Sequence, residues 1–366
     1  MSELLYKLSV NTIDFCAVML YLYYKGADCM KALITLPKNE MADTFFTEEN
    51  IKFAESLGEI IWNDSDKPMS VEKIKENIAD CDVYVTCWGS PRLDKEILDC
   101  APKLKLLTHV AGTVVPFVSD EMWDRGIRVI CGNDFFAESV AEGTIAYMLS
   151  SLRMIPHYSM QLKQKGIWAG GNDPSDSLIY KKVGIISYGA IAKHLVKKIQ
   201  PFNVELLVYD IVDIPAEDME TYNFRQASME EIFSTCDIVS VHTPLNPHTH
   251  HLIDDKYLSM MKKGSLFVNT SRGGVVDQQA LTKHLVNGDF NAMLDVLEKE
   301  PIDKDDVLLT LPNVLIMPHR GGPTINLRQV ITKALLIESR DFVDNGAELL
   351  AKDEITRERA RQMSNS

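Results

Sequence analysis

This 366-residue sequence has no excess of basic residues. The 38 Lys and Arg residues are outnumbered by 52 Asp and Glu residues, which gives a formal net charge of −14. A nucleic acid or an anionic membrane surface requires a basic face on its protein partner. The composition therefore argues against both partners. A small anionic substrate stays compatible with it, because a few positive groups in one cleft are enough.

Long apolar runs and paired cysteines are missing as well. The nearly apolar stretch at 15–24 is too short for a membrane-spanning helix, which needs about 20 residues. The seven cysteines are odd in number and contain no C-x-x-C pair, so neither a disulfide framework nor a zinc site is indicated. We therefore expect reduced thiols and a cytoplasmic location.

Residues 1–29 precede "MKALITL", which is typical of a first β-strand. Asp14 interrupts the apolar stretch before it, and Ala27-Asp28-Cys29 is a poor cleavage site for a secretion signal. We expect 1–29 to be an N-terminal extension outside the folded domains.

Short β-branched runs alternate with helical patterns after Met30. A long helix is predicted at 138–163, and Ser228 with Glu231 forms a capping box at the start of another. The strands are predicted at 31–36, 83–86, 104–109, 128–131, 183–186, 206–209, 238–241, 266–269, 292–295 and 314–317. This alternation predicts an α/β protein with doubly wound parallel sheets, in which ligands bind at the carboxyl ends of the strands.

A glycine-containing turn follows the strand at 183–186. Dinucleotide-binding turns read G-x-G-x-x-G, and Ser187, Gly189 and Ala192 occupy the three glycine positions here. Gly189 permits the backbone to approach a pyrophosphate on the helix N-terminus, and alanine is accepted at the third position. Ser187 is the departure: its Cβ is costly if φ is positive, although its hydroxyl could reach a phosphate oxygen. The turn alone leaves a working site and a structural turn equally open.

Asp210 ends the next predicted strand, 21 residues after Gly189. This is close to the spacing of the acidic residue that binds the ribose hydroxyls of a dinucleotide. A carboxylate there repels a 2′-phosphate, and no arginine follows in "DIVDIP" to neutralise one. The spacing therefore favours NAD over NADP.

Four motifs downstream of the turn carry a family resemblance: "HTPLNPHTHHLI", "MMKKGSLFVNTSRGGVVDQQAL", "MLDVLEKEP" and "MPHRGGPT". In this order they resemble the D-isomer-specific 2-hydroxyacid dehydrogenases, with the resemblance extending over about residues 30–345. It implies an NAD-dependent oxidoreductase that interconverts a 2-oxo acid and a D-2-hydroxy acid.

The resemblance also implies how the chain is divided. Two Rossmann-like domains are expected: a discontinuous substrate-binding domain at 30–132 and 320–350, and an NAD-binding domain at 133–319. Residues 351–366 are expected to form a charged C-terminal tail. A homodimer is implied through the helical segment at 138–164.

Three catalytic residues are implied by the resemblance. Arg272 matches the arginine that grips the substrate carboxylate and keto oxygen, and His319 matches the acid/base. Glu300 matches the carboxylate that holds this histidine, although without the resemblance it would be interpreted as part of a solvated charge run. The chemistry needs the same groups: a planar bidentate cation, a proton donor and a carboxylate that fixes the histidine tautomer. Formate dehydrogenases carry glutamine at the Glu300 position, so Glu300 argues against formate.

The resemblance further implies the binding residues. Cofactor contacts are expected from Ser187, Tyr188, Gly189, Ala190, Ile191, Asp210, Thr243, Pro244, Thr249, Thr270, Ser271, Arg272, Asp295, His319, Gly321 and Gly322. Substrate contacts are expected from Trp88, Gly89, Ala111, Gly112 and Arg272. Many relatives have aspartate and asparagine just after the equivalent of Gly112, whereas this chain has "TVVP", so substrate contacts there stay open.

Trp88 stands where phosphoglycerate enzymes of the family place an arginine, although Arg92 lies nearby. An aromatic side chain in place of a phosphate-binding cation predicts an uncharged or apolar substrate tail.

Histidines at 242, 248, 250 and 251 suggest a metal site. Pro244 and Pro247 make this an irregular loop, and the resemblance accounts for its motif, so we predict no metal.

A second class of function is an NAD-sensing protein or corepressor of the same fold with little turnover. The complete Arg–Glu–His set argues against it, because a sensor needs no proton donor.

Overall fold

The computed structural model describes residues 29–168 and 174–363, so the predicted extension lies outside the described residues except for Cys29. The chain forms two compact units: unit 1 runs to Phe136 and resumes at Pro323, and unit 2 is Ala137–Gly322. Unit 1 is therefore built from two separate segments. These divisions lie a few residues from the boundaries expected at 132/133 and 319/320.

The helices of the described residues are numbered in chain order. They are α1 (Glu40–Asp43), α2 (Glu48–Leu57), α3 (Val71–Asn77), α4 (Lys95–Leu98), α5 (Asp120–Asp124), α6 (Asn133–Leu152), α7 (Ile155–Lys165), α8 (Ala190–Lys198), α9 (Ala216–Thr221), α10 (Met229–Thr235), α11 (Asp255–Leu258), α12 (Gln278–Asn287), α13 (Ile325–Asn345) and α14 (Arg357–Gln362). Within the described ranges, none of them is long and apolar enough to cross a membrane.

The described part of unit 1 contains a parallel sheet of five strands. They are β1 (Lys31–Ile34), β2 (Glu59–Trp62), β3 (Val83–Thr86), β4 (Leu106–His109) and β5 (Arg128–Cys131), in the spatial order β2-β1-β3-β4-β5. The residues of β3 and β4 are buried, as expected for parallel strands covered on both faces. β2 was not predicted: it is an edge strand with no fully buried residue.

The structure corrects the expectation of a charged C-terminal tail. Residues 351–363 pack on unit 1: the Ile355 N–H donates a 2.9 Å hydrogen bond to Val129 O, and Ile355 and Ala360 are buried. The Thr356 hydroxyl caps α14 by accepting from the Arg359 N–H. The charged side chains of the segment add further bonds, among them those from Arg359 to the backbone oxygens of Ala351, Lys352 and Glu354.

The described part of unit 2 contains a parallel sheet of seven strands. They are β6 (Lys182–Ile186), β7 (Glu205–Tyr209), β8 (Phe224–Gln226), β9 (Ile238–Val241), β10 (Leu266–Asn269), β11 (Asn291–Leu294) and β12 (Val314–Ile316). Their order is β12-β11-β10-β9-β6-β7-β8, so the direction of winding reverses between β6 and β9. Dinucleotides bind at the carboxyl ends of the strands beside such a reversal. The three-residue β8 was not predicted, but Ser228 caps α10 as its capping box indicated.

The helix predicted at 138–163 is two helices, α6 and α7. The break falls at Met154, whose φ is 51°, and Pro156 follows in the first turn of α7. Proline lacks the N–H that a helix interior needs and is tolerated in the first turn. Pro156 was thus the available sequence signal for the break.

Candidate active site

The turn after β6 places Ser187 in the left-handed region, with φ at 76°. This conformation costs a non-glycine residue on the order of 1 kcal/mol or more. Two hydrogen bonds oppose the cost: the Ser187 N–H donates to Tyr209 O at 2.8 Å, and its hydroxyl lies 2.8 Å from the Thr243 hydroxyl. Since β6 and β9 are neighbours at the reversal point, the side chain of Ser187 ties together the ends of these two strands.

Gly189 precedes α8 in extended backbone, with φ at −83°. Among the described residues, no side chain caps this helix, and a Cβ built on Gly189 would meet no atom within 4 Å. The first N–H groups of α8 thus have no side-chain cap, and there is open space at Gly189 beside them, which is an arrangement that binds a pyrophosphate. Ala192, at the third motif position, is buried against the sheet, where only a small residue is required.

Asp210 follows β7, and its carboxylate binds the backbone of the turn after β6. Its Oδ2 accepts from the Tyr188 N–H at 2.7 Å, and its Oδ1 accepts from the Val212 N–H at 3.2 Å. An ionised carboxylate accepts about four hydrogen bonds, so capacity for two ribose hydroxyls is left. The uncapped helix, the open space at Gly189 and this carboxylate together fit an NAD molecule.

Arg272 is presented by a turn that Asn269 shapes at the end of β10. The Asn269 Oδ1 accepts from the N–H and the hydroxyl of Ser271, at 3.0 and 2.8 Å, and its Nδ2 donates to Arg272 O at 3.2 Å. The Thr270 hydroxyl lies 3.0 Å from that of Thr144 on α6. The hydroxyls of Thr270 and Ser271, both predicted as cofactor contacts, are therefore engaged within the protein.

Gly273 brings Arg272 to the segment that carries Glu300. A Cβ at this glycine would lie 1.9 Å from the carbonyl carbon of Leu297, a separation that only glycine permits. Burial lowers the pKa of the Arg272 guanidinium, and the negative charge of Glu300 opposes that shift. The two side chains are thus near enough to interact electrostatically.

Glu300 and His319 form a hydrogen-bonded pair. The Glu300 Oε1 accepts from the Leu297 N–H at 3.0 Å, and its Oε2 lies 2.8 Å from His319 Nδ1. A carboxylate at this distance selects the tautomer with the proton on Nδ1 and directs Nε2 away from itself. His319 Nε2 has no hydrogen-bond partner within the described ranges, and the side chain is half exposed. Nε2 is therefore accessible for proton exchange.

Asp295 stabilises the turn that contains His319, a residue whose φ is 55°. Its backbone oxygen accepts from the His319 N–H at 2.9 Å, and its carboxylate accepts from Arg320 N–H and Gly321 N–H, both at 2.8 Å. The Tyr147 hydroxyl donates to the same carboxylate at 3.3 Å. Burial, together with the nearby Asp295, raises the pKa of Tyr147 to about 12, so this hydroxyl keeps its proton. Asp295 is thus a buried group that positions the histidine turn, and its contact with the cofactor stays a prediction.

The loop after β9 carries the remaining predicted cofactor contacts of unit 2. The Thr249 hydroxyl donates to Pro244 O at 2.6 Å and accepts from the Asn246 N–H at 2.8 Å, so it holds the loop itself. Burial lowers the pKa of His242 to about 4, which keeps its ring neutral, and its Nε2 lies 2.9 Å from the Ser240 hydroxyl.

The predicted substrate contacts Trp88, Gly89, Ala111 and Gly112 belong to unit 1. Trp88 meets Phe45 and Phe136 edge-on, with ring centroids 5.5 and 6.1 Å apart, and the Arg328 guanidinium lies 5.3 Å above its ring. Gly89 has a φ of 81°, which suits glycine. Ala111 is buried, and a Cβ at Gly112 would lie 3.2 Å from the Phe136 ring. The Arg92 Nε of the same loop donates to Val118 O at 2.9 Å.

The parallel sheet of unit 2, its uncapped helix and the Glu300–His319 pair define an NAD-binding oxidoreductase with acid/base chemistry. Residues 145–321 match the family model for the D-isomer specific 2-hydroxyacid dehydrogenase, NAD binding domain. A glyoxylate reductase of Korarchaeum cryptofilum is 34% identical over 274 residues, which cover 73% of this chain and 81% of that protein. The chain therefore belongs to the D-isomer-specific 2-hydroxyacid dehydrogenase family.

Two further relatives show the range of similarity. A D-3-phosphoglycerate dehydrogenase of Methanocaldococcus jannaschii is 33% identical over 297 residues, which cover 81% of this chain but 54% of that longer protein. Among solved structures, a phosphoglycerate oxidoreductase from Rhizobium etli is similar with a TM-score of 0.76 over 90% of this chain and 99% of that chain. Its sequence identity of 22% supports the shared fold alone.

Proposed function

We propose that this protein reduces a 2-oxo acid to a D-2-hydroxy acid with NADH, and catalyses the reverse oxidation, with His319 as the acid/base. The observation that carries the proposal is the Glu300–His319 pair, because it leaves His319 Nε2 available to a substrate oxygen. Bound NADH supplies the hydride for the substrate carbon.

Residues of this chain bind the substrate carboxylate, stabilise the developing negative charge and transfer the proton. Arg272 offers planar, paired N–H donors to the substrate carboxylate, and its fixed positive charge stabilises the oxygen that gains negative charge. His319 Nε2 donates a proton to that oxygen in reduction and accepts it in oxidation. Glu300 stabilises the positively charged form of the histidine and fixes its tautomer. Asp295 and Tyr147 hold the turn that keeps the ring in place.

Turnover of NADH with a panel of 2-oxo acids tests the proposal. We expect at least one substrate such as glyoxylate, hydroxypyruvate or pyruvate to oxidise NADH steadily, with a D-configured 2-hydroxy acid as the product where the product is chiral. The alternative, an NAD-sensing protein of the same fold, is not favoured by the complete catalytic set. Tight NADH binding without turnover of any 2-oxo acid would support that alternative.

The substrate tail is predicted to be uncharged or apolar. Trp88 packs edge-on against the rings of Phe45 and Phe136. The neighbouring Arg328 already donates from Nε to Pro323 O and from Nη1 to the Thr44 hydroxyl. An aromatic wall stabilises an apolar group better than a phosphate. Hydroxypyruvate and larger unphosphorylated 2-oxo acids should therefore be reduced faster than 3-phosphohydroxypyruvate; the opposite order would overturn this part of the proposal.

Asp210 is expected to make NADH the preferred cofactor, since its carboxylate repels a 2′-phosphate. In Asp210→Ala the ratio of kcat/KM for NADH to that for NADPH should fall at least about tenfold, equivalent to about 1.4 kcal/mol. Asp210→Asn is the matched control for the fold, because its amide oxygen can still accept from the Tyr188 N–H. Equal use of NADH and NADPH by the parent protein would exclude the ribose role of Asp210.

A homodimer is proposed through the segment at 138–164. The helix α7 buries none of its residues, and Ile155, Met160 and Leu162 on it are 55%, 54% and 45% exposed. Apolar exposure of this kind marks an interaction surface. Sedimentation of the full chain at micromolar concentration should give twice the chain mass, and a monomer would contradict the proposal.

A cytoplasmic location is also proposed. The six described cysteines are all free, which suits a reducing compartment. Cell fractionation checks this, with the protein expected in the fraction that contains cytoplasmic enzymes.

A further inference from the structure

The loop after β9 and the segment after β11 bring two histidines and a carboxylate together at the surface of unit 2. His251 Nε2 lies 2.8 Å from Glu298 Oε1, and the rings of His250 and His251 stack with their centroids 3.9 Å apart. One ligand atom from each of these three residues lies within 4.8 Å of the other two. Among the described residues, this is the one group of three or more His, Cys, Asp or Glu side chains so arranged.

Backbone hydrogen bonds hold both segments in place. The His251 N–H donates to Gly274 O at 2.9 Å, and the Glu298 N–H donates to the Gln278 side-chain oxygen at 2.7 Å. The neighbouring Leu297 backbone is packed against Gly273 so closely that a Cβ there could not fit. The backbones of His251 and Glu298 are thus each fixed by a hydrogen bond to a neighbouring segment of unit 2.

The sequence predicted no metal at these histidines, but the placement of Glu298 beside them was not part of that prediction. We propose that His250, His251 and Glu298 bind a divalent transition-metal ion of the zinc type. Two imidazole nitrogens and one carboxylate oxygen are ligands that Zn²⁺ accepts at about 2.0–2.2 Å, which places ligand atoms roughly 3–3.5 Å apart. His251 Nε2 and Glu298 Oε1 are 2.8 Å apart, all three ligand atoms lie within 4.8 Å of one another, and the side chains of His250 and Glu298 are exposed. Three protein ligands leave a coordination position for water, so the site suits reversible binding.

The simpler interpretation is a surface ion pair between His251 and Glu298 alone. Such a pair contributes about 0–1 kcal/mol and gives no role to His250. His250 distinguishes the two interpretations, because the metal site needs its ring nitrogen as a ligand and the ion pair does not. The test therefore compares the three residues with one another.

Zn²⁺ uptake by the full chain, measured by competition with a chromophoric chelator, tests the proposal. We expect one ion per chain at this site, and at least about tenfold weaker binding, or about 1.4 kcal/mol, in each of His250→Ala, His251→Ala and Glu298→Gln. His248→Ala removes an exposed histidine of the same loop that lies outside the cluster, and it should leave the affinity unchanged. Substitution with Co²⁺ should give a spectrum of nitrogen and oxygen ligands without thiolate charge transfer, which separates this site from the free cysteines.

The folding of the variants is checked by thermal unfolding, where Zn²⁺ should raise the Tm of the parent and of His248→Ala but not of the three cluster variants. The proposal is overturned if the parent takes up neither Zn²⁺ nor Co²⁺. It is also overturned if His250→Ala binds Zn²⁺ as tightly as the parent, because His250 is then not a ligand of the bound ion.

Discussion

Replacing His319 with alanine is expected to lower kcat/KM for the 2-oxo acid at least ~10²-fold, the scale of a lost general acid. The Glu300 carboxylate holds the ring through Nδ1, so removal of the ring removes the proton donor and leaves Glu300 in place. NADH binding should change little, because the pyrophosphate and ribose positions lie at the turn after β6 and at Asp210. Steady-state kinetics and calorimetric titration of NADH measure the two effects separately.

Arg272→Ala should lower kcat/KM by a similar or larger factor, since both carboxylate binding and charge stabilisation are lost. Arg272→Lys retains the charge without the paired donors and should recover only part of the activity. The matched control is Arg225→Ala, which removes an exposed arginine of the same unit that pairs with Glu231, and its activity should equal that of the parent. Near-normal activity of either His319→Ala or Arg272→Ala would exclude the proposed residue roles.

Gly189→Val is expected to abolish detectable NADH binding. A branched side chain there would occupy the space in which the pyrophosphate approaches the N-terminus of α8. The substitution should leave folding intact, because φ is −83° and a Cβ meets no atom within 4 Å in the described part of the chain. Unchanged thermal unfolding together with lost binding is thus the expected pair of results, and NADH binding close to that of the parent would contradict the assignment of the turn.

Ser187→Gly is the companion variant at the same turn. Glycine relieves the positive φ of 76°, but the substitution also removes the hydrogen bond to Thr243. These terms are each about 1 kcal/mol and opposite in sign, so the Kd for NADH should stay within about fivefold of the parent, with modest tightening the favoured direction. Failure of the parent to bind NADH, with recovery in Ser187→Gly, would mean that the site has been switched off.

The sequence predicted the largely buried strands, and it also predicted the half-buried edge strand β12. Strands such as β3 and β9 are short β-branched runs, and their burial makes the pattern visible. The edge strands β2 and β8 were missed: no residue of β2 is fully buried, and only the first of the three residues of β8 is. The break between α6 and α7 was missed although Pro156 signals it.

The site was predicted to the extent that its residues lie in recognisable motifs. Arg272, Glu300 and His319 came from the family resemblance, and their spacing alone would not have selected them. Tyr147 and Glu298 were missed because their partners are 148 and 47 residues away in sequence. Asn269, the last residue of β10, was missed as well, although an asparagine at the end of a strand is typical of a side-chain turn.

Hydride transfer in a single turnover tests the central claim most directly. The parent protein, saturated with NADH and mixed with a 2-oxo acid that the panel identifies, should oxidise the bound cofactor in one phase and release the D-2-hydroxy acid. The same mixture with His319→Ala should bind NADH as tightly but oxidise it at least ~10²-fold more slowly. Equal rates of NADH oxidation in the two proteins would contradict the account.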